Sequence, residues 1–92
     1  MSESELFEIF RAIESPEEFS RFLEDILTPA ERADLGQRAE ILRRLLSGAT
    51  QRKIAEDMAI SITTVSRGNR IIEHGTGMIA QIYARLGWPL GR

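Results

Sequence analysis

Cysteine is absent from this chain and histidine occurs once, at His74. Those two shortages exclude disulfides, thiolate zinc sites, iron–sulfur clusters, cysteine nucleophiles and any site built on a pair of histidines. Without staples, a short chain draws limited stability from its own burial. A chain of 92 residues hides only about two-thirds of the surface it exposes when unfolded, so a partner subunit is expected to supply part of the stability. No apolar run approaches the ~18 residues of a membrane span, and the opening Met-Ser-Glu-Ser-Glu is acidic where a secretion signal is basic and then apolar. A cytoplasmic protein with no membrane partner is expected, with residues 1–92 forming a single domain.

What the chain does have is an uneven distribution of charge beneath a formal net charge of −2. Residues 1–31 carry nine acids and two bases, residues 32–72 carry eight bases and four acids, and residues 73–92 carry two bases and one acid. An acidic first third followed by a basic middle points to nucleic-acid contact in the middle segment, which the overall sum conceals.

Apolar residues recur at helical spacing almost throughout, and no window alternates as a strand does, so the chain reads as all-α with six helices. Leu6, Phe10 and Ile13 form a first short stripe, ended by Ser15-Pro16. Ser15 suits an N-cap, Pro16 the first helical position and Glu18 the third position of a capping box. Phe19, Phe22, Leu23, Ile26 and Leu27 then make a dense apolar face. The same device recurs at Thr28-Pro29-Ala30-Glu31 and opens a long helix to Leu46, with Leu35, Ala39, Leu42 and Leu46 on one face and Ile41 and Leu45 beside them. Ser47-Gly48 stops it. Thr50 caps a short helix over about 51–58, and another follows over about 62–74, broken by Gly75-Thr76-Gly77. A last helix carries Ile79, Ile82, Tyr83 and Leu86, and residues 87–92 form a flexible tail.

Residues 51–73 have the layout of a helix-turn-helix. Ile54, Met58, Ile60 and Val65 face inward, Ala55 is small where the helices cross, and Ala59 stands where glycine is commoner, at some cost in strain. Ile62, Thr63, Ser66, Asn69 and Arg70 are read as the outward face of the second helix, short and polar and then cationic, as suits a helix entering a major groove. Arg52 and Lys53 open the first helix within reach of phosphates or a base edge. The plain alternative is a helical hairpin whose charges are merely solvated.

At these residues the chain resembles the tryptophan repressors and their related proteins. The resemblance rests on Leu27-Thr-Pro-Ala-Glu-Arg-Ala-Asp-Leu-Gly-Gln-Arg38, Leu45-Leu-Ser-Gly48, Thr50-Gln-Arg52 and Ile62-Thr-Thr-Val-Ser-Arg-Gly68. It implies an intertwined all-helical homodimer with a helix-turn-helix on each side, binding a near-palindromic double-stranded DNA operator. It also implies an L-tryptophan corepressor or a related aromatic amino acid. Arg38 and Arg67 would flank the indole, Thr28 and Thr64 match the pocket threonines, and Gly68 matches the glycine that leaves room for the ring. Backbone carbonyls around Asp25 to Leu27 would hold the ammonium.

There are departures from the family pattern. Ile71 stands where the repressor has a serine that accepts the indole N–H, and a buried N–H without a partner costs on the order of 1–3 kcal/mol. One residue is missing between Gly48 and Gln51, Ala55 replaces a lysine, Asn69 a serine, and Arg70 is a local gain of charge. Simpler roles are open for several of these residues: Arg38 could pair with Asp34 or Glu31, and Arg67 could touch only phosphate. His74 reads as a surface residue at a helix end, Tyr83 as core, and Trp88 as packed on a dimer surface or disordered. The expected function is a corepressor-activated transcriptional repressor. The alternatives are a ligand-independent relative that still binds DNA, and a helical protein-interaction module. No triad arrangement of Ser, Thr and the lone His is in view, so an enzyme is not expected.

Overall fold

The computed structural model describes residues 1–91, and they form six α-helices with no strand among them. These are α1 (Glu3–Arg11), α2 (Pro16–Ile26), α3 (Pro29–Leu46), α4 (Gln51–Met58), α5 (Ile62–His74) and α6 (Met78–Arg85). The chain divides into two compact units, Met1–Asp34 and the residues from Leu35 on, with the boundary inside α3.

The first unit is built from capped helices with little burial. Ser2 Oγ accepts the Glu5 N–H at 3.1 Å while Glu5 Oε1 accepts the Ser2 N–H at 3.0 Å, a reciprocal box that satisfies two end donors. The Ser2 backbone N–H, with help from the Ser2 hydroxyl, holds the Glu5 carboxyl below the usual carboxylate range. Ser15 Oγ accepts the Glu18 N–H at 3.1 Å and opens α2, with Pro16 in its first turn. Phe10 and Phe22 meet edge to face at 5.4 Å. Neither α1 nor α2 contains a buried residue. Leu6, Phe7, Phe10, Phe19 and Ile26 are between 40% and 60% exposed, so beyond the Phe10–Phe22 contact much of this apolar surface stays open. Thr28 and Glu31 form a second reciprocal box, with Thr28 N–H donating to Glu31 Oε1 at 2.9 Å and Glu31 N–H to Thr28 Oγ1 at 3.1 Å.

The second unit holds the core. Ile41 and Leu45 of α3, Ile54 of α4 and Val65 of α5 are all at most 3% exposed, with Ala49, Ala55, Met58, Ile60 and Ile72 packed around them. Burying such side chains stabilises by roughly 1.5–3 kcal/mol each. Periodicity placed Leu35, Ala39, Leu42 and Leu46 on one face of α3 with Ile41 and Leu45 beside them, and of these Ile41, Leu42, Leu45 and Leu46 are buried. Only the last turns of the helix meet α4 and α5, so Leu35 stays 48% exposed.

Within the tail expected to be flexible over residues 87–92, Trp88 and Gly91 make contacts with the rest of the second unit. Gly91 N–H donates to Leu46 O at 2.9 Å, and Trp88 lies against Tyr83 and Arg43 of its own chain. An indole beside a guanidinium gains cation–π attraction, which a proline- and glycine-rich sequence does not reveal. Arg92 lies outside the described residues.

Candidate nucleic-acid interface

Local signals set the geometry of α4, the turn and α5. Thr50 Oγ1 accepts the Lys53 N–H at 3.1 Å and starts α4. Ala59 closes it in the left-handed conformation, φ 55° and ψ 47°, and Ile60 N–H returns to Ala55 O at 3.1 Å. Ser61 Oγ then accepts the Thr64 N–H at 3.1 Å and starts α5 after a turn of residues 59–61. Val65 is fully buried against Ile54, and Ser66 Oγ donates to Gln51 Oε1 at 2.7 Å, a polar bridge between the helices. Gln51 was not singled out in the sequence, since nothing local marks a side chain that is paired fifteen residues away.

The presented face of α5 carries Ile62, 50% exposed, with Thr63, Arg67 and Arg70 exposed and Ser66 half-buried. Arg52 is exposed on α4. Lys53 is engaged by Asp57 at 3.1 Å and Arg44 by Glu40 at 3.1 Å. Arg52, Arg67 and Arg70 make no ion pair or hydrogen bond among the described residues, so their guanidiniums are available to phosphate.

Asn69 does not belong to that face. It is 9% exposed, its amide donates to Glu73 Oε1 at 2.8 Å, and its reading as an outward DNA contact is corrected. Helical spacing gives the reason: Val65, Gly68, Asn69 and Ile72 fall on one stripe, and that stripe faces inward.

Of the five expected ligand residues, each has a definite place in its own unit. Thr28 spends its hydroxyl on the cap of α3, and Thr64 Oγ1 lies 2.8 Å from Ser61 Oγ. Gly68 is buried against α3. Arg38 and Arg67 are exposed and unpaired among the described residues, so the simpler pairing of Arg38 with Asp34 or Glu31 does not form. Among the described residues of the second unit, no side-chain hydrogen bond joins any two of Arg38, Thr64 and Arg67. Ile71 lines a small apolar cavity of about 70 Å³ with Leu46, Ile72 and residues 75–80. That volume is well below the roughly 300–1,000 Å³ of ordinary ligand pockets.

These features define a small all-α protein whose presented element is a pair of helices at a tight turn, with uncommitted arginines on its open side. The chain belongs to the Trp repressor protein family, whose model matches residues 2–86. It is similar to a Bacillus subtilis protein named "Uncharacterized protein YerC", at 35% identity over 71 residues, covering 77% of this chain and 68% of that protein. It is also 40% identical over 58 residues to a Trp operon repressor homolog of Chlamydia trachomatis, covering 58% of this chain and 62% of the relative's length. Among solved structures, a TrpR like protein from Eubacterium eligens superposes with a TM-score of 0.86 at 31% identity, covering 94% of this chain and 89% of that one. No helix among the described residues is long and apolar enough to cross a membrane.

Proposed function

We propose that this protein is a homodimeric, sequence-specific DNA-binding repressor of transcription in which α4, the turn and α5 form a helix-turn-helix reading head. The observation that carries the reading is the exposed face of α5 with Arg67 and Arg70, joined by Arg52 of α4, all unpaired in a Trp repressor family chain. Ile62, Thr63 and Ser66 are the proposed base-edge contacts, and the arginines are the phosphate contacts. Two such heads enter successive major grooves about 34 Å apart in helix-turn-helix dimers, the Trp repressor among them. The exposed apolar stripes of α1 and α2 support the homodimer.

The proposed corepressor is an aromatic amino acid such as L-tryptophan. The free guanidiniums of Arg38 and Arg67 suit its carboxylate and ring faces. Thr28, Thr64 and Gly68 enter this reading through the family resemblance. A second reading, DNA binding without a corepressor, is favoured by one observation: Ile71 lines an apolar cavity.

Binding to random duplex DNA at rising salt tests the first claim. A DNA binder loses affinity linearly in log[salt], and removing one phosphate contact by Arg52→Ala lowers the slope by about 1. Affinity indifferent to salt sinks DNA binding and favours a protein-interaction module. Calorimetric titration with tryptophan tests the second claim: heat that disappears in Arg38→Ala supports the corepressor, and no heat at millimolar ligand selects the ligand-independent repressor.

A further inference from the structure

The junction between α3 and α4 is closed by a donor from far along the chain. An α-helix leaves its last four carbonyls without intrahelical partners, and in α3 these belong to Arg43, Arg44, Leu45 and Leu46. Three are served on the spot. Ser47 N–H donates to Arg43 O at 3.0 Å, Ala49 N–H to Arg44 O at 3.1 Å and Gly48 N–H to Leu45 O at 3.1 Å. The fourth, Leu46 O, accepts the N–H of Gly91 at 2.9 Å.

The tail arrives there by a series of fixed steps. Tyr83 is anchored first, its hydroxyl donating to Ala39 O of α3 at 2.9 Å. Trp88 N–H then donates to Tyr83 O at 3.2 Å. The indole sits edge-on to the Tyr83 ring at 5.0 Å, with the Arg43 guanidinium 4.1 Å from its centroid. Pro89 follows, with φ locked by its ring and no N–H to satisfy. Gly91 completes the approach where only glycine fits, since a Cβ there would stand 2.6 Å from Ser47 O. Its neighbour across the contact, Gly48, turns the chain at φ +101°.

We propose that residues 88–91 are a capping strap that fixes the Ser47-Gly48-Ala49 elbow, from which α4 and α5 project. Stacking of Trp88 on Arg43 holds the strap to the outside of α3, and the Gly91 N–H closes the last carbonyl of that helix. With the strap docked, the elbow is tied on both sides and the direction in which α4 leaves α3 is set. With it released, Leu46 O turns to water and the left-handed Gly48 is free to change conformation. Gly91 also forms one wall of an open cleft of about 500 Å³ with Leu45, Gly48, Thr50, Asn69 and Glu73, so release widens the space beside α5. This inference does not depend on DNA binding, because it rests on contacts within the chain alone.

Amide hydrogen exchange on the unaltered protein and on its Trp88→Ala and Gly91→Ala variants tests the strap. The amides of Ser47, Gly48 and Ala49 are expected to exchange about fivefold faster in both variants, as loss of one net hydrogen bond allows, while those of Ile54 and Val65 keep their rates. Trp88 is the sole tryptophan and gives an independent reading. In Gly91→Ala and Arg43→Gln its emission should shift to the red and become more accessible to acrylamide. Unchanged elbow rates in both variants overturn the proposal. So does a uniform acceleration that includes Ile54 and Val65, or a Trp88 as open to acrylamide in the unaltered chain as in Gly91→Ala.

Discussion

Gly68 of α5 lies so close to Ile41 of α3 that a Cβ on the glycine would stand 2.7 Å from Ile41 Cγ2, with Leu45 Cδ1 at 3.5 Å. Ile41 is β-branched and 3% exposed, so it has little room to withdraw. Packing therefore accounts for this glycine independently of any ligand. Gly68→Ala is expected to destabilise the fold by about 1–3 kcal/mol, measured as a lower urea midpoint. Ile41→Ala alone costs about 2–5 kcal/mol. The double variant should lose less than the sum, because the second change removes the clash made by the first. Strict additivity would show that the two helices do not compete for this space.

Ala59 makes the opposite case. It holds φ 55° without being glycine, the one non-glycine residue among those described with positive φ. An L-residue in that conformation costs roughly 1–2 kcal/mol, and glycine relieves it while giving back about half through chain entropy. Ala59→Gly should raise stability by about 0.5–1 kcal/mol, seen as a higher midpoint with an unchanged denaturant slope.

The bare stripes of α1 and α2 predict self-association. Phe7 is 60% exposed and Ile26 53% exposed, and apolar faces of that kind mark protein–protein contact. Sedimentation equilibrium should give a dimer for the unaltered chain, and a mass shifted toward monomer in Phe7→Glu and Ile26→Glu. A monomeric unaltered protein at micromolar concentration would remove the homodimer from the proposal.

Tyr83, the only tyrosine, gives a pH prediction. Burial pushes its hydroxyl above the ordinary value of 10.0, with the Glu40 carboxylate adding to the rise and the Arg43 guanidinium opposing it. The folded state thus favours the neutral phenol. Its contribution to stability is complete below about pH 10 and is lost as pH climbs through the raised folded value. Absorbance titration of tyrosinate should place the folded transition above that of the urea-unfolded chain. Coincident curves would contradict the buried setting of the ring.

Much of this architecture was legible because helix starts are written in side chains. Ser15, Thr50 and Ser61 each cap the helix that follows, and Thr28 with Glu31 completes its box. Ser2 with Glu5 uses the same spacing and could have been read in the same way. Asn69 was misplaced because its polarity was given more weight than its position on the stripe with Val65 and Ile72. The contacts of the tail were not legible for a different reason. Gly91 acts through a backbone N–H and the absence of a Cβ, and Trp88 through a guanidinium on another helix. Neither interaction has a period or a local spacing. Among the expected ligand residues, packing and capping already explain Gly68, Thr28 and Thr64, whereas Arg38 and Arg67 have no structural employment among the described residues.

The bond from Gly91 to Leu46 joins residues separated by most of the second unit, whereas Ile54 and Val65, at the heart of its core, are near neighbours in sequence. Closing a longer loop sacrifices more chain entropy before any contact repays it. During refolding, the α4–α5 pair can therefore assemble early from local contacts, while the end of α3 waits for the distant Gly91 N–H. The order of assembly runs from the α4–α5 pair outward, and Trp88, which lies on the path to Gly91, reports the closing of that long loop.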